Sequence, residues 1–536
     1  MQGITDPFAR DSLPPRDMWP DLVFNLPELR YPDRLNCVTV LLDDWVARGH
    51  GDAPCVISPS ESLTYAQLQD RVNRIGNVLL GLGMRPGHRV LLRSANNPMM
   101  VACYLAVLKA GGVVVATMPM LRAGELVYPI EKSQTTLALC DKRLAEDLEA
   151  AQTRTPCLTQ IVYFNDPSPA GLEARMAAAS NQFAAHATAA DDVCLIGFTS
   201  GTTGQPKGTM HFHRDLLAVC DSYGAHVLRS RASDRFIGSP PLAFTFGLGG
   251  LVLFPLRVGA ATVLLERAGP DDLLAAIPKY RATICFTAPT AYRAMLGKLA
   301  DIDLSSLRAC VSAGEMLPRA TFEAWEKATG IRLMDGIGST EMLHIFIASP
   351  SEAARAGSTG KPVPGYEARI VDAAGAPVPD GTIGRLAVRG PTGCRYMTDP
   401  RQAVYVEGGW NITGDTYLRD ADGYFWYQAR SDDMIVSSGY NIAGPEVEGA
   451  LLGHPAVLEC AVVASPDEER GAVVHAFIVL APEHSADESM TTTLQDFVKA
   501  TIAPFKYPRR ITFCADLPKT QTGKLQRFRL RATPPP

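Results

Sequence analysis

Apolar residues recur along the chain with the spacing of amphipathic helices in some segments and as short unbroken runs in others. The helical spacing covers residues 65–82, 99–109, 270–278 and 289–300. The short runs cover residues 90–93, 112–116, 261–265 and 283–287. A short apolar run bounded by turn residues predicts a buried strand. Since strands alternate with helices, the pattern predicts the α/β class, with mainly parallel sheets flanked by helices.

The pattern changes in the second half of the chain. Short strands joined by turns of glycine and aspartate are predicted at residues 368–371, 384–388 and 423–427. They indicate a β-rich subdomain that completes the large first domain. A polar stretch at 431–433 interrupts the apolar pattern. After it, the pattern predicts a helix at 445–452, strands at 457–464 and 473–480, and a helix at 490–501. We expect this last region to form a small α+β domain.

Composition narrows the class of protein. The 536 residues are 46% hydrophobic and 20% charged, which excludes a disordered or collagen-like chain and predicts at least two domains. The net charge of −5 argues against a nucleic-acid-binding protein. The 12 cysteines include no C-x-x-C pair, which indicates reduced thiols in a cytoplasmic protein. The uncharged stretch 236–256 is broken by proline and glycine, so no membrane span is predicted.

A loop rich in glycine and threonine follows the strand-like run 193–197. Its residues are Thr199, Ser200, Gly201, Thr202, Thr203, Gly204 and, after Gln205 and Pro206, Lys207. Such a loop leaves backbone N–H groups free to surround a phosphate, and Lys207 adds a positive charge. The loop is not a Walker A motif, because Gly208 follows the lysine where that motif has serine or threonine.

This loop and five later segments, taken in order, resemble the acyl-adenylate-forming superfamily, which includes acyl- and aryl-CoA ligases. The later segments are SAGEM at 312–316, DGIGSTE at 335–341, TGD at 413–415, RSDD at 430–433 and PKTQTGK at 518–524. The resemblance implies an N-terminal adenylation domain at 1–430 with the ATP and acyl sites, a hinge at 431–433, and a mobile C-terminal lid domain at 434–536 that carries a catalytic lysine.

The reaction that the resemblance implies joins a carboxylic acid to a thiol through an acyl-AMP, with ATP, Mg²⁺ and coenzyme A. The α-phosphate gathers negative charge in the first step and needs cations and donors. Lys524 is the candidate cation for that step, and Glu341 is the candidate Mg²⁺ ligand. Thr199 and Thr340 are expected to donate hydrogen bonds to phosphate.

The same resemblance assigns the rest of the nucleotide and thiol sites. The adenine side is Gly314 and Glu315, continued by Asp335, Gly336 and Ile337, and the ribose side is Asp415 and Arg430. The hinge residue is Asp432. Rotation about this hinge is implied to present Ser438, Gly439 and Tyr440 to coenzyme A in the second step.

Two segments resemble the acyl site of the superfamily. In the first, the expected pocket residues are Phe244, Thr245, Phe246 and Gly247. Many members have histidine where Phe244 stands, and amino-acid-activating domains have aspartate. Phe244 cannot pair with an ammonium group, so an amino-acid substrate is not expected, and aromatic side chains suit an apolar ring. Core packing is the alternative role for these phenylalanines.

The second segment, 336–346, resembles benzoate-type CoA ligases and contributes Gly338, His344 and Ile345 to the expected ring pocket. An ordinary core histidine is the alternative for His344. Residues 438–448 instead resemble ligases for 2-aminobenzoate. An amine in the ortho position needs a hydrogen-bond acceptor, and His344 or backbone carbonyls are candidates.

The predicted function is therefore an AMP-forming aryl-CoA ligase acting on 2-aminobenzoate or benzoate. A medium- or branched-chain acyl-CoA ligase, or an enzyme that loads a separate carrier protein, stays open as an alternative. A non-catalytic nucleotide sensor is disfavoured, because the charged residues of all these segments are present. The resemblance leaves a homodimer open as the assembly state.

Overall fold

The structure of the protein is a computed structural model. It describes residues 3–199, 206–430, 433–437, 440–467, 471–502, 504–519 and 525–531, with only the backbone described at 430, 434, 436, 440, 441 and 471.

Strands and helices are numbered here in chain order. The described strands are β1 (Pro54–Ile57), β2 (Ser62–Thr64), β3 (Arg89–Arg93), β4 (Val113–Thr117), β5 (Leu137–Asp141), β6 (Gln160–Phe164), β7 (Val193–Phe198), β8 (Gly208–Phe212), β9 (Arg235–Gly238), β10 (Ala261–Val263), β11 (Ile284–Thr287), β12 (Ala309–Ala313), β13 (Met334–Gly338), β14 (Ile345–Ala348), β15 (Lys361–Pro362), β16 (Glu367–Val371), β17 (Ile383–Arg389), β18 (Val406–Glu407), β19 (Trp410–Arg419), β20 (Phe425–Arg430), β21 (Met434–Ser437), β22 (Tyr440–Ala443), β23 (Val457–Asp467), β24 (Gly471–Leu480) and β25 (Arg510–Phe513). The described α-helices are α1 (Phe8–Asp11), α2 (Tyr65–Gly81), α3 (Pro98–Lys109), α4 (Ala123–Ser133), α5 (Ala145–Gln152), α6 (Leu172–Ala178), α7 (His213–Val219), α8 (Thr245–Leu248), α9 (Phe254–Val258), α10 (Pro270–Tyr280), α11 (Pro289–Leu296), α12 (Arg319–Thr329), α13 (Gln402–Tyr405), α14 (Gly444–Leu451), α15 (Glu488–Thr501) and α16 (Arg527–Arg531).

The first large sheet has the strand order β6-β5-β3-β4-β7-β8. Its strands are parallel except for the last pair, β7 and β8, which run antiparallel as a hairpin. Side chains of β3 alternate between two buried cores: Val90 and Leu92 belong to one, and Leu91 to the other. A sheet buried on both faces is typical of strands connected by crossover helices.

The second large sheet has the order β15-β14-β13-β12-β11-β9-β10-β1-β2. The six strands from β13 to β1 pair in parallel, and the outer strands pair antiparallel. Phe236 and Phe286 of this sheet share a core with Val90 and Leu92 of the first sheet. The fully buried helix α3 contributes to the same core. The largest core is therefore common to both sheets, and it fixes them relative to each other.

The remaining strands form smaller antiparallel or mixed sheets. Strands β16, β17, β19 and β18 follow one another in a sheet to which β20 adds on β19, which is the predicted β-rich unit. The C-terminal region has a sheet of β23, β24 and β25 with its own buried core, which includes Val462 and Leu494. The predicted fold class is confirmed. The proposed boundary at 431–433 lies partly outside the described residues and stays a prediction.

The stretch at 236–256 folds as strand, loop and short helices. It runs through β9, α8, a π-helical turn at Gly249–Leu253 and α9. Among the helices that the structure describes, none has the length and apolar character needed to cross a membrane.

Candidate active site

The base of the glycine and threonine loop is closed by a hairpin. Strands β7 and β8 pair up to Phe198 and Gly208. The Thr199 N–H donates to the Lys207 carbonyl at 3.0 Å, and the Lys207 N–H donates to Thr199 Oγ1 at 3.2 Å. Thr199 and Lys207 thus lie together where the loop begins and ends. The loop residues Ser200, Gly201, Thr202, Thr203 and Gly204 lie outside the described residues.

Lys207 and Glu341 meet although they come from different sheets. Lys207 Nζ lies 3.7 Å from Glu341 Oε1 and 4.8 Å from the centre of the Tyr396 ring. The Tyr396 hydroxyl donates to the same carboxylate oxygen at 2.5 Å. Burial, and then the charge of Glu341, raise the pKa of the Tyr396 phenol far above its ordinary value, so it remains a donor.

Thr340 lies against the end of β7. A Cβ atom on Gly197 would approach Thr340 Cγ2 to 2.9 Å, so a larger residue at 197 would force Thr340 to move. The same Cβ would lie 3.9 Å from Thr245 Cγ2 of the expected acyl segment. His211 of β8 bonds through Nε2 to the Thr340 carbonyl at 2.8 Å, and since a carbonyl only accepts, Nε2 carries the proton. Three of the predicted regions therefore converge at Gly197.

The predicted adenine segments lie side by side at the ends of parallel strands. Residue 313 of β12 pairs with residue 336 of β13, so Gly314 and Glu315 follow β12 next to Gly336 and Ile337. Gly314 has φ of +92°, a conformation that favours glycine. A ligand at the carboxyl ends of parallel strands is the usual arrangement in α/β proteins.

Asp335 is an acid in an unfavourable environment. It pairs across the strands with the fully buried Ser312, and its Oδ1 atom is buried without a hydrogen-bond partner among the described residues. Burial raises the pKa of Asp335 to about 8, and the nearby Gly336 backbone and Ser312 side chain offset only part of this. The carboxyl is therefore mostly protonated at neutral pH.

The predicted ribose residues face each other across a strand pair. Asp415 of β19 is directly opposite Arg430 of β20, whose side chain lies outside the described part. Asp415 is buried, and its N–H donates to Thr413 Oγ1 at 3.2 Å. Burial and then the charge of Asp415 raise the pKa of Tyr417, and the charge of Asp335 raises it further. The charges of the predicted adenine and ribose segments therefore both act on Tyr417.

His344 is the centre of a group of aromatic side chains, here called the ring cluster. The distances from its ring centre are 4.6 Å to Phe254, 5.4 Å to Tyr223, 5.7 Å to Phe246 and 6.4 Å to Phe286. All members are buried except Phe246, which is half-buried. Phe244, also half-buried, makes no ring contact with His344, so Phe246 is the predicted phenylalanine that joins the cluster.

The ring cluster contains polar atoms without partners. Both ring nitrogens of His344 and the Tyr223 hydroxyl are buried and make no hydrogen bond with a described residue. Burial lowers the pKa of His344 to about 3, and the Phe246 backbone offsets this only in part. Leaving such atoms unpaired costs about 1–3 kcal/mol each. They are therefore candidate contacts for a polar ligand.

The other predicted acyl-site residues have different neighbours, and Gly338 is the one that lies against the His344 backbone. A Cβ on Gly338 would meet the His344 carbonyl at 2.8 Å, and Gly247 packs against the Pro241 carbonyl. Ile345 is buried, and its side chain packs over Gly336. Ile345 is thus close to the adenine segment as well.

Glu341 is suited to hold a magnesium ion together with phosphate oxygens. Its Oε1 atom is occupied by Tyr396, whereas Oε2 makes no hydrogen bond with a described residue. The described part of the chain contains no group of three or more histidine, cysteine, aspartate or glutamate residues that could hold a metal by themselves. A single carboxylate fits Mg²⁺, which usually binds one or two carboxylates, substrate phosphates and water.

Several predicted residues cannot be placed. Asp432, Ser438, Gly439 and Lys524 lie outside the described residues, and only the backbone of Tyr440 is described, in β22. The described residues on either side of the Lys524 segment, Lys519 and Leu525, form an antiparallel bridge with each other.

The site also contains residues that no sequence pattern indicated. Tyr223 joins the ring cluster from a π-helical turn, and His211 and Tyr396 contact the Thr340–Glu341 segment. A phosphate-loop pattern ends at Gly208 and gives no reason to include His211.

Comparison with known proteins gives matches over most of the chain. A family model described as AMP-binding enzyme matches residues 43–396, and one described as AMP-binding enzyme C-terminal domain matches 446–524. The benzoate–CoA ligase of Thauera aromatica is 38% identical over 516 residues, which cover 94% of this chain and 97% of that protein.

Two crystal structures are similar in fold and sequence. The anthranilate CoA ligase AuaEII in complex with anthranoyl-AMP is 36% identical with a TM-score of 0.90, covering 95% of this chain and 98% of that one. A benzoate CoA ligase from Burkholderia xenovorans LB400 is 34% identical with a TM-score of 0.84, covering 93% and 100%.

Gly249→Ala tests whether the His344 ring is tightly packed. The new Cβ would lie 2.3 Å from His344 Cδ2, so the ring must move, and we expect the protein to lose about 1–3 kcal/mol of stability. Gly81→Ala is the control, because that helical glycine has open space around it and alanine should stabilise by about 0.5–1 kcal/mol. Thermal unfolding of both variants is the measurement. Equal changes in Tm for the two variants would contradict tight packing around the His344 ring.

Asp335→Asn tests the raised pKa of that acid. The folded protein keeps a proton that the unfolded chain loses above its ordinary pKa of 3.8, so this residue's contribution to stability falls as pH rises from about 4 to 8. The slope is at most about 1.4 kcal/mol per pH unit. Asparagine does not titrate, so the variant lacks this pH-dependent loss of stability. The Tm of the variant relative to the unmodified protein should therefore increase between pH 5 and 7. Parallel Tm curves would show that Asp335 is ionised at neutral pH.

Proposed function

The chain belongs to the AMP-binding enzyme family, and from this premise we propose that it is an ATP-dependent aryl-CoA ligase for 2-aminobenzoate or benzoate. The membership confirms the resemblance inferred from the six sequence segments. The single observation that carries the proposal is the ring cluster at His344, three residues after Glu341 and next to the convergence at Gly197. A flat aromatic acid suits such a site, because aromatic rings attract one another edge-on or offset.

The proposed first step joins the acid to the nucleotide. A carboxylate oxygen attacks the α-phosphorus, a new P–O bond forms, the bond to the β-phosphate breaks, and pyrophosphate leaves. Lys207 and the Thr199 hydroxyl at the loop base would bind phosphate oxygens, and Thr340 would donate from the opposite side. Mg²⁺ would be held by Glu341 with the phosphates, where it supplies positive charge.

The proposed second step transfers the acyl group to coenzyme A. The thiolate attacks the acyl carbonyl carbon, the thioester forms, and AMP leaves. We propose the domain division at 1–430, 431–433 and 434–536 for this alternation, with rotation at Asp432. Lys524 would act in the first step, while Ser438, Gly439 and Tyr440 would face coenzyme A in the second.

The polar atoms of the ring cluster favour a substituted ring. A neutral His344 and the Tyr223 hydroxyl, which lack described partners, can exchange hydrogen bonds with one ring substituent. An ortho amine can donate to a bare imidazole nitrogen or to the hydroxyl oxygen. We therefore propose 2-aminobenzoate ahead of benzoate. The related AuaEII structure contains anthranoyl-AMP, the adenylate of that acid, which supports this order.

The first experiment measures AMP formation with ATP, Mg²⁺, CoA and a panel of acids. We expect maximal kcat/KM with 2-aminobenzoate or benzoate, and at least a tenfold lower value with straight-chain acids of six to ten carbons, because chains do not match the ring contacts. A maximum on chain acids would replace this proposal with an aliphatic acyl-CoA ligase. AMP formation that needs a carrier protein instead of CoA would indicate a carrier-loading enzyme.

Lys524→Ala separates the two proposed steps. The variant should lose acid-dependent exchange of pyrophosphate into ATP by a factor of at least 100, because a cation at the α-phosphate is missing. It should retain most thioester formation from supplied aryl-AMP. Lys499→Ala is the control, since Lys499 is a half-exposed partner of Asp496 and lies outside the 518–524 segment. Equal loss of both steps in the Lys524 variant would contradict the assigned role.

A further inference from the structure

We infer that Tyr396 is a positioning residue for the metal carboxylate, an inference that rests on the proposed function. Its hydroxyl donates to Glu341 Oε1 at 2.5 Å, and both residues are buried. A hydrogen bond to an ionised acceptor is about twice as strong as one between neutral groups. The contact therefore fixes the rotation of the carboxylate and reserves its other oxygen, Oε2, for a metal ion.

Backbone hydrogen bonds hold Tyr396 beside β8, the strand that follows the loop rich in glycine and threonine. The Met210 N–H donates to the Arg395 carbonyl, and the Met397 N–H donates to the Gly208 carbonyl, both at 2.8 Å. Tyr396 itself forms an antiparallel bridge with Thr209. The short segment 395–397 thus extends the sheet at β8, the strand that begins one residue after Lys207.

A buried ion pair secures the same junction. Arg395 and Asp215 are fully buried and contact each other, and Arg395 Nε also donates to the Met210 carbonyl at 3.3 Å. Removing one partner of such a pair leaves an uncompensated charge, so the segment resists movement. His211 of β8 meanwhile binds the Thr340 carbonyl. Strand β8 therefore fixes both residues of the Thr340–Glu341 segment. It contacts Thr340 directly through His211, and it holds Glu341 through Tyr396, which is bridged to it.

The two oxygens of Glu341 have different environments as a result. Oε1 faces the Tyr396 hydroxyl and Lys207 Nζ, whereas Oε2 makes no hydrogen bond with a described residue. Residues that orient a metal ligand typically contribute 10- to 100-fold to metal affinity. Loss of the Tyr396 hydroxyl should leave the fold and the nucleotide contacts in place but free the carboxylate to rotate.

The test is Tyr396→Phe, which removes one oxygen atom. Affinity for Mn²⁺ is measured by electron paramagnetic resonance in the presence of an ATP analogue with a methylene group between its α- and β-phosphates, which cannot be cleaved. We expect binding weaker by about 10- to 100-fold, with Tm within a few degrees of the unmodified protein. Unchanged affinity would overturn the inference.

The control is Tyr163→Phe. Tyr163 donates to Glu149 Oε1 at 2.7 Å on the surface of β6, so the same chemical change is made in the same kind of contact outside the site. It should not alter Mn²⁺ binding. Tyr396→Met repeats the test with a flexible side chain in case the phenylalanine variant does not fold.

Combination with Glu341→Gln shows whether Tyr396 acts through the carboxylate. In that background the tyrosine substitution should change Mn²⁺ affinity less than twofold, whereas a general structural role would give the same factor as before. Because the analogue binds without any acid, the outcome is independent of the acid panel. If Tyr396→Phe weakens Mn²⁺ binding as expected but the unmodified protein turns over no aryl acid, the proposed function alone is rejected. If the unmodified protein turns over aryl acids but Tyr396→Phe leaves Mn²⁺ affinity unchanged, this inference alone is rejected.

Discussion

The contact between Gly197 and Thr340 is the constraint on which the rest of the site depends. Each residue is at or just beyond the end of a strand in a different sheet, and the absent side chain of Gly197 lets the two chains approach. The common core between the sheets holds this approach, since close-packed interiors transmit displacement. A shift of one sheet would separate Lys207 from Glu341 and Gly197 from both Thr340 and Thr245, so the proposed phosphate and acyl sites depend on one packing arrangement.

The polar atoms of this site are arranged at a cost to the protein. Asp335 and His344 are both kept in their neutral forms by burial, and each has buried atoms without described partners. In a core selected only for stability, such groups would be paired or replaced by apolar ones. Unpaired groups are a reason to expect a ligand, and here one belongs to the predicted adenine segment and the other to the ring cluster. The ligand would restore at both places the hydrogen bonds that folding leaves unmade.

Sequence reasoning succeeded where the information is local and failed where it depends on distant contacts. The α/β class follows from local runs of apolar residues, and the family follows from six short motifs. Periodicity could not show that Phe246 and not Phe244 contacts His344, because α8 begins between them. Nor could it show Tyr396, whose partner Glu341 is 55 residues away. The segments beyond the described residues, including that of Lys524, are still predictions from the sequence.

The weak pairing of Lys207 with Glu341 suits the nucleotide site that we propose. At 3.7 Å, with Lys207 a quarter exposed, this ion pair contributes little, because solvent screens it and no direct hydrogen bond is made. A phosphate group can therefore attract Lys207 at small cost, and this leaves Glu341 with a single strong partner, the Tyr396 hydroxyl. The carboxylate then carries more uncompensated negative charge when phosphate is present than when it is absent. Binding of nucleotide and of a divalent cation would in this way favour each other, as reciprocal linkage requires.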